Sequence, residues 1–459
     1  MILKMTKNVI LINPPAPKEF GNLTRDGRCQ SEESTWSVTF PASTLASIAG
    51  HIRQAGFKIK FVDCIGENIS IHQLLLIVKK FKPDYAVINT ATPSIESDLK
   101  VVRLIKDINS STIIGVYGTM PSDLPNEIKK MEPLVDYCLR GDPETPALLM
   151  VQGKRPPLEV WVEKNLDNLA TPAYDLMSAY FFPLTGERWV FLMDGKGCPY
   201  RCVYCVEPKI SGRHARYKSA ERIVEDIDFI VNKLNIHLFM FWDELFTLNK
   251  KRCLDICRLM IEKGLNKKCR WMATTRVDRV DEELLVLMKQ AGCWMLAFGL
   301  ESGDQNVLDI VKKDITLAQS RKTVKMAKRI GFKTLGHFIV GLPGSSPRSE
   351  AKSISFAKEL DLDFVQFYTC TAFPGSELYE IAQKNKWLVV KDWGDIEQGN
   401  VNLTYPSFSA AEIHKWRRKA YTSFYFRPRF FYNFFRCLSL RALINIIPRG
   451  IKFTSWIIK

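Results

Sequence analysis

Three cysteines within one short stretch constrain this chain more than any other feature of its sequence. Cys198, Cys202 and Cys205 follow the apolar run 189–193 at C-x3-C-x2-C spacing. Such a run predicts a buried strand, and the loop after a strand is where an α/β fold places reactive side chains. Thiolates are soft ligands that suit iron–sulfur clusters and zinc, which normally take four ligands. Three thiolates on one loop would therefore leave one iron of a cluster open to chemistry.

A zinc knuckle is the alternative for this loop. It needs a fourth Cys or His nearby, and the nearest candidate, His214, lies beyond a polar loop. The other cysteines are mostly scattered singly, which is typical of a reducing compartment rather than a disulfide framework. The spacing therefore favours a cluster over a zinc site.

With an aromatic residue before its last cysteine, the motif resembles the signature of the radical S-adenosylmethionine (SAM) superfamily. The resemblance implies that Cys198, Cys202 and Cys205 hold a [4Fe–4S] cluster whose fourth iron is chelated by the amino and carboxylate groups of SAM. Reduction would then cleave SAM to a 5′-deoxyadenosyl radical. Tyr204, the aromatic residue of the motif, is expected near the adenine.

Six apolar segments alternate with helical patterns from residue 189 onward. This alternation predicts a partial (β/α)6 barrel of the TIM type, with its site at the carboxyl ends of the strands. By the resemblance, Asp243 and Glu244 at the end of the second strand receive the amino group of SAM. Carboxylates suit that role because an ammonium group needs an acceptor. The alternative is an acidic surface pair that caps the following helix.

Three later segments extend the resemblance. Arg276 ends the third strand and is expected at the SAM carboxylate or the substrate. Glu301, within Phe-Gly-Leu-Glu-Ser-Gly, is expected near the SAM ribose. Gly341 and Gly344, within Gly-Leu-Pro-Gly, are expected to let the backbone approach the nucleoside closely. One glycine-rich turn would be weak evidence, but these motifs occur in the family's order.

The first 150 residues also alternate between short apolar strands and helical patterns. Short connections of this kind predict a doubly wound parallel sheet, whose ligand crevice lies at the carboxyl ends of its strands. This half resembles the cobalamin (B12)-binding domain found ahead of many radical SAM domains. The resemblance rests on the segments 13–15, 56–63, 83–84, 118–121 and 141–144.

One departure bears on the cobalamin prediction. Cobalamin proteins that replace the lower axial base use D-x-H-x-x-G, whereas residues 63–68 here read Asp-Cys-Ile-Gly-Glu-Asn. No protein imidazole would coordinate cobalt at that point. Many radical SAM relatives lack this histidine as well, so we expect cobalamin binding. A sheet that serves only as a scaffold is the alternative.

These patterns divide the α/β chain into four parts. We expect a cobalamin-binding-like Rossmann-type domain over 1–150 and a linker over 151–183. A radical SAM partial barrel should cover 184–385, and a basic, aromatic, helical C-terminal region should cover 386–459.

The C-terminal region carries much of the excess positive charge. The chain has a net charge of +16, and residues 411–459 contain eleven Lys or Arg against one acid, Glu412. Aromatic residues alternate with arginines over 424–436. Such a segment can pack over the barrel, lie on an anionic membrane, or stack on bases of nucleic acid. We expect packing before membrane contact and regard nucleic acid as the least favoured partner.

The N-terminus shows no signal-peptide pattern, and no run approaches the roughly 18 apolar residues that span a bilayer. We therefore expect a cytoplasmic protein. Any contact with a membrane should be peripheral, at the inner membrane surface.

The expected reaction is cobalamin-dependent methylation of an unactivated carbon in a small-molecule or lipid substrate. An electron donor such as flavodoxin or ferredoxin would be the protein partner. One alternative is a radical rearrangement or cyclisation with a scaffold-only first domain. A second is a tRNA methylthiotransferase-like enzyme, although Cys29, Cys64 and Cys138 do not sit in the matching motifs. A third is an inactive binding scaffold, against which the intact motifs argue.

Overall fold

The computed structural model describes residues 7–21, 23–26, 30–31, 40–243, 245–428 and 430. Two parallel sheets organise this part of the chain, each followed or flanked by helices. The predicted α/β class is confirmed, including the doubly wound first sheet and the six-stranded half-barrel.

The first sheet has five parallel strands in the order β2-β1-β3-β4-β5. The strands are β1 (Asn8–Asn13), β2 (Lys58–Asp63), β3 (Tyr85–Asn89), β4 (Ile113–Tyr117) and β5 (Tyr137–Cys138). The helices are α1 (Ser43–Gln54), α2 (Ile71–Phe81), α3 (Ile95–Ile108), α4 (Thr119–Asp123), α5 (Pro125–Met131) and α6 (Glu144–Val151). The fifth strand was not expected, because two residues are too few to show a periodic pattern.

Alternation along β1 explains why helices cover both faces of this sheet. Val9 and Leu11 pack in one apolar cluster with α1, whereas Ile10 and Ile12 pack in another with α2 and α3. Successive side chains of a strand point to opposite faces, so a strand that is apolar throughout needs cover on both sides. The carboxyl edge of the sheet is thereby left as the place for a ligand.

The second sheet has six parallel strands in the order β11-β10-β9-β8-β7-β6. The strands are β6 (Trp189–Leu192), β7 (Leu238–Phe241), β8 (Arg270–Thr275), β9 (Cys293–Glu301), β10 (Lys333–Val340) and β11 (Phe364–Thr369). The helices are α7 (Glu207–Ile210), α8 (Ala220–Asp228), α9 (Lys250–Glu262), α10 (Glu282–Gln290), α11 (Gln305–Ile310), α12 (Leu317–Ile330), α13 (Pro347–Glu359) and α14 (Glu377–Lys384). A π-helical turn, Phe229–Lys233, extends α8.

Short elements complete the two halves. Single turns of 3-10 helix lie at Lys18–Phe20, Thr92–Ser94, Leu166–Asn168, Tyr174–Leu176, Phe246–Leu248, Leu265–Lys267 and Trp393–Asp395. Two antiparallel ribbons pair Leu23–Thr24 with Gln30–Ser31 and Gly195–Lys196 with Arg216–Tyr217.

The two sheets share one apolar core. Residues of β1 and α1 belong to the same buried cluster as Tyr174 of the connecting segment and Val190 of β6. Polar contacts cross the same boundary: Lys196 Nζ lies 2.7 Å from Glu144, and Arg216 lies 2.6 Å from Asp142. The halves are therefore packed into one body with a buried, charged seam.

The last described helix, α15 (Ala410–Tyr425), packs on the edge strand β11. Tyr425 donates to the Val365 carbonyl at 2.6 Å, and the buried Arg417 donates to the Phe367 carbonyl at 2.9 Å. This helix confirms the expected helical character of the C-terminal region. Residues 431–459, on which the membrane prediction depends, lie outside the described residues. Among the described helices, none is long and apolar enough to cross a bilayer.

Candidate functional site

The three cysteines lie on a loop whose entry requires glycine. Gly197 has φ +83°, and a Cβ there would stand 2.5 Å from the His214 carbonyl oxygen. Such a backbone conformation, crowded by a carbonyl, excludes other residues. Directly after it, the Cys198 amide donates to the Gly212 carbonyl at 3.2 Å. The ribbon of Gly195–Lys196 and Arg216–Tyr217 thus positions the backbone of Cys198, the first cysteine of the loop.

Backbone hydrogen bonds hold the middle of this loop against the barrel. The Val203 amide donates to the Val311 carbonyl at 3.2 Å, and the Leu378 amide donates to the Val203 carbonyl at 2.8 Å. Cys198 is buried, whereas Cys202 and Cys205 are half-buried, and none of the three forms a disulfide within the described residues. Backbone contacts with the barrel therefore help to position the three thiols.

No three Cys, His, Asp or Glu side chains in the described residues converge closely enough to hold a single metal ion. A zinc site would need such convergence, since each Zn–S bond is only about 2.3 Å long. A [4Fe–4S] cluster makes a different demand, because it receives each thiolate on a separate iron. Three thiols that do not meet at one point are compatible with a cluster.

Arg276, directly after β8, packs against Tyr200 of the cluster loop. Its guanidinium lies 3.7 Å from the centre of the Tyr200 ring and 2.8 Å from Asp278. Burial alone would lower the pKa of Arg276, but the hydrogen bond with Asp278 and the charges of Asp278, Tyr200 and Cys202 raise it. A permanent cation therefore stands beside the cluster loop.

A cavity of about 420 Å³ opens between the cluster loop and the first sheet. That volume is within the range of small-molecule sites. Four of the predicted residues line it: Tyr204, Asp243, Arg276 and Glu301. Three thiols and two glycines of the predicted set, Cys198, Cys202, Cys205, Gly341 and Gly344, are not among its lining residues. Glu244 lies outside the described residues.

Glu301 sits at a break in the regular sheet. The register of β9 against β10 shifts between Gly299 and Glu301, and Glu301 has φ +62°, which is uncommon for a residue with a side chain. Its carboxylate accepts from Lys313 Nζ at 2.6 Å, and both side chains are buried. The bulge aims a paired carboxylate into the cavity, and the sequence motif gave no sign of the partner Lys313.

Asp243 stands in a buried polar group at the end of β7. The neighbouring carboxylate of Asp194 lies 3.1 Å from Arg252. The pKa of Asp194 is raised because burial outweighs the attraction of Arg252 and Lys218. Gly195 makes room for this group, since a Cβ there would stand 2.7 Å from Asp243. The burial of Asp243 argues against a solvent-exposed helix cap.

Gly341 and Gly344 both have positive φ, +81° and +82°. A Cβ on Gly341 would meet the Ile413 side chain at 2.9 Å, and one on Gly344 would meet Ile310 at 2.4 Å. Both glycines therefore give room to neighbouring isoleucines. Their expected proximity to the nucleoside stays a prediction.

The opposite wall of the cavity is the carboxyl edge of the first sheet. Asn89, Tyr117 and Gly118 line it there, and Thr119 begins α4 beside them. The Tyr117 hydroxyl is buried and has no hydrogen-bond partner in the described part of the chain. A buried polar group without a partner is costly, so a ligand with polar groups fits this edge.

Asp26 adds a titratable group to the same wall. Its carboxylate accepts from the Thr44 amide at 2.8 Å and from Asn89 at 3.4 Å. Burial raises the pKa of Asp26 to about 6, although these hydrogen bonds oppose the shift. Sequence patterns offered no signal for Asp26, because it follows no predicted strand and belongs to no motif.

Hydrogen bonds to Asp63 hold the segment that lacks the cobalt-binding histidine, residues 63–68. Asp63 accepts from Asn13 at 2.8 Å, from the Gly66 amide at 3.1 Å and from the Tyr180 hydroxyl at 2.5 Å. Ile65, in the histidine position, packs partly buried beside Leu23 and Ala91. Cobalamin at this edge would therefore receive no imidazole from residues 63–68.

Two family models match the chain. The Radical SAM superfamily model matches residues 193–357, and the B12 binding domain model matches residues 38–149. The uncharacterized methyltransferase PH0819 of Pyrococcus horikoshii is 31% identical over 414 residues, which are 85% of this chain and 89% of that protein.

Two further proteins extend the comparison. The anaerobic magnesium-protoporphyrin IX monomethyl ester cyclase of Rubrivivax gelatinosus is 25% identical over 377 residues, 74% of this chain and 66% of that protein. The radical SAM methyltransferase TsrM from Kitasatospora setae, solved with cobalamin and a [4Fe–4S] cluster, shares the fold. It has a TM-score of 0.66 and 15% identity, covering 89% of this chain and 84% of that one.

The cysteine loop, the two sheets and the relatives agree with one another. This chain belongs to the radical SAM superfamily, as an enzyme with a B12-binding domain ahead of its radical SAM domain.

Proposed function

We propose that this enzyme uses a [4Fe–4S] cluster, SAM and cobalamin to methylate an unactivated carbon of its substrate. One observation carries the proposal: the cluster loop and the carboxyl edge of the first sheet line a single cavity. Tyr204 stands on one side of it and Asn89 and Tyr117 on the other. Groups held at these two edges would face a substrate between them. The similarity to the methyltransferase PH0819 supports methyl transfer.

When bound, the cluster and SAM supply a radical that takes a hydrogen atom from the substrate, and methylcobalamin supplies the methyl group. The protein's part is to bind, orient and shield. Cys198, Cys202 and Cys205 would ligate the cluster from a loop that the barrel already holds in place. A substrate held between the cluster loop and the first sheet would be shielded from bulk water.

For SAM, we propose that Asp243 accepts from the amino group and that Tyr204 lies along the adenine. Glu301 would face the ribose hydroxyls, to which a carboxylate can accept two hydrogen bonds. Arg276 would meet the SAM carboxylate, or the substrate, while Asp278 holds its other nitrogens. Each of these four residues lines the cavity.

For cobalamin, the polar edge formed by Asn89, the Tyr117 hydroxyl and the Gly118 backbone is the proposed seat. The unpartnered Tyr117 hydroxyl would find its partner among the amide groups of the corrin. Cobalt would then lack a protein imidazole from residues 63–68. We also propose the division into 1–150, 151–183, 184–385 and 386–459 as functional units on this basis.

Anaerobic reconstitution with iron, sulfide and hydroxocobalamin, followed by desalting, tests the proposal. We expect about one cobalamin per chain together with cluster iron. Cys202→Ala should lose iron and keep cobalamin. Thr119→Trp, which fills the cobalamin edge, should lose cobalamin and keep iron, whereas Ser111→Trp on the exposed surface of the same domain should keep both. Iron retained without cobalamin in the unaltered chain would overturn the proposal.

A radical cyclisation or rearrangement is the second candidate, supported by the similarity to the Rubrivivax gelatinosus cyclase. Both reactions begin with the same hydrogen abstraction. A product that has gained a labelled methyl group from SAM distinguishes methylation from ring formation.

We propose a one-electron donor such as flavodoxin or ferredoxin as protein partner, because the cluster must be reduced before it cleaves SAM. Contact with an anionic membrane in the cytoplasm stays a prediction, since it depends on residues 431–459.

A further inference from the structure

The amino-terminal end of the half-barrel is apolar where it meets the cavity. Six cavity-lining residues of one hydrophobic cluster form what we call the apolar chamber: Phe182, Trp189, Met240, Met272, Met295 and Phe364. The five that belong to strands are each among the first three residues of their strand. Trp189 stands three residues before the end of β6, about 10 Å along the strand, and Met240 stands one residue before the end of β7. The chamber therefore lies below the cluster loop.

Aromatic rings close the chamber. Phe182 meets Trp189 edge-on at 5.3 Å between ring centres, and Phe40, which also lines the cavity, meets Trp189 at 6.0 Å. Edge-on pairs of this kind hold large rings in defined positions. The chamber is thus a shaped apolar surface and not an unstructured gap.

The basic side chains of the cavity are already neutralised. Each Lys or Arg that lines the cavity in the described residues lies within 2.8 Å of a carboxylate: Arg25 with Asp98, Lys196 with Glu144, Arg276 with Asp278, and Lys313 with Glu301. If Arg276 meets the SAM carboxylate as proposed above, a second anion carried by the substrate would have to break one of these pairs. The chamber itself contributes no charged group, so it would not stabilise an anion.

One polar atom in the chamber is unsatisfied. Trp189 is 1% exposed, and its indole N–H has no acceptor among the residues that the structure describes. A buried Trp N–H usually finds a partner, and leaving it without one costs about 1–3 kcal/mol. Protein atoms cover Nε1 itself, so an acceptor supplied by a ligand would remove that cost once a shift of the neighbouring rings opens Nε1 to the chamber.

We propose that the substrate is a neutral, largely apolar molecule whose body occupies the apolar chamber and whose carbonyl, hydroxyl or ether oxygen accepts from Trp189 Nε1. The proposal rests on the proposed function, because it names the substrate class of that same site. The substrate's reacting carbon would lie toward the strand ends, between the two cofactor edges.

Three probes of one size test this substrate class by equilibrium dialysis against the reconstituted holoenzyme. Methyl naphthyl ketone is neutral with an acceptor, ethylnaphthalene is neutral without one, and naphthoate is anionic. We expect the ketone to bind at one site per chain. Ethylnaphthalene should bind about 2- to 10-fold more weakly, as befits one net hydrogen bond. Naphthoate should bind at least about tenfold more weakly than the ketone.

Trp189→Phe separates the hydrogen bond from apolar burial. It should reduce the affinity for the ketone to that for ethylnaphthalene, while the affinity for ethylnaphthalene stays the same. Trp294→Phe is the matched control, since Trp294 contacts Phe182 but does not line the cavity. Met295→Trp, which fills the chamber, should abolish binding of both neutral probes.

Naphthoate binding as tightly as the ketone would overturn the proposal, as would no ketone binding by the full chain. An equal loss for both neutral probes in Trp189→Phe would also overturn it. These outcomes do not depend on methyl transfer. Failure of the chain to retain cobalamin overturns the proposed function instead, even when the ketone binds as expected.

Discussion

Carboxylates in the cavity differ in what holds them, and this decides how each responds to substitution. Glu301 is matched by Lys313, whereas Asp243 has burial and the neighbouring Asp194 around it. Asp26 has only neutral donors. We expect Asp243 to bind the amino group of SAM, so its substitution should change SAM affinity. Burial raises the pKa of Asp26, so its substitution should change how stability depends on pH.

Asp243→Asn should weaken SAM binding about 10- to 100-fold, since a hydrogen bond to a charged group contributes about 1.5–3 kcal/mol. Equilibrium dialysis of labelled SAM with the iron-loaded enzyme measures this. Asp255→Asn, on α9 and paired with Lys251, is the control and should bind SAM normally. An unchanged SAM affinity in Asp243→Asn would instead support a purely structural role for Asp243.

Asp26 should make the fold less stable as the pH rises. Its pKa is raised from 3.8 to about 6 by burial, so the folded protein holds its proton more tightly than the unfolded chain does. Stability from this group is present below about pH 4 and is lost as the pH rises through 6, by about 3 kcal/mol.

Asp26→Asn cannot ionise and should lack that loss. Denaturant unfolding should therefore show that the free energy of unfolding of Asp26→Asn rises relative to that of the unaltered chain between pH 4 and 7. The exposed Asp107→Asn should follow the unaltered chain. Parallel stability curves for Asp26→Asn and the unaltered chain would contradict the buried, protonated carboxyl.

Among the strands and helices, a sharp turn at the end of β4 helps to form the cavity. Gly118 ends β4 with φ +143°, and a Cβ there would stand 2.3 Å from the Thr90 carbonyl oxygen. Glycine alone tolerates this backbone conformation. The turn brings the Tyr117 hydroxyl and the start of α4 to the same edge of the sheet.

Gly118→Ala should lower the free energy of unfolding by about 2–4 kcal/mol, because strain and a backbone clash add. Gly153→Ala is a matched control: its φ is +76°, but the nearest atom to a Cβ is 3.9 Å away. It should cost about 1 kcal/mol. Equal losses in the two variants, measured by denaturant unfolding, would show that the Thr90 contact is not limiting.

Sequence patterns predicted the strands and helices better than they predicted contacts between side chains. Period-two and helical spacing gave both sheets, because strands buried between helices are nearly continuous apolar runs. The resemblance to the radical SAM superfamily, carried by the cysteine motif and the strand ends, predicted that Tyr204, Asp243, Arg276 and Glu301 lie near one site. Pairings such as Glu301 with Lys313 could not be predicted, since they depend on a bulge that moves a side chain across a strand.

At the scale of the whole molecule, the first sheet and the barrel act as one unit because a buried ion pair joins them. Lys196, one residue before the cluster loop's glycine, binds Glu144 of α6, and both side chains are at most 10% exposed. Burial alone would raise the pKa of Glu144, but Lys196 and Ser47 lower it. The sequence could not show this contact, because 52 residues separate its partners.

Lys196→Ala should destabilise the enzyme by about 3–5 kcal/mol, because it leaves the Glu144 carboxylate buried without a cation. Arg53→Ala removes a contact between α1 and the linking segment, the half-exposed pair with Asp175, and should cost less than about 1 kcal/mol. Denaturant unfolding compares the two. A similar small loss for both variants would mean that the seam does not hold the halves together.

The cluster loop and the cobalamin edge line one cavity, so the cluster and cobalamin should lie close together. Pulsed electron paramagnetic resonance of the reconstituted enzyme, with the cluster reduced and cobalamin in its paramagnetic Co(II) form, measures their dipolar coupling directly. We predict strong coupling between the two signals, lost in Thr119→Trp through loss of cobalamin and kept in Ser111→Trp. Two signals that do not interact, with both cofactors at full occupancy, would contradict the shared cavity.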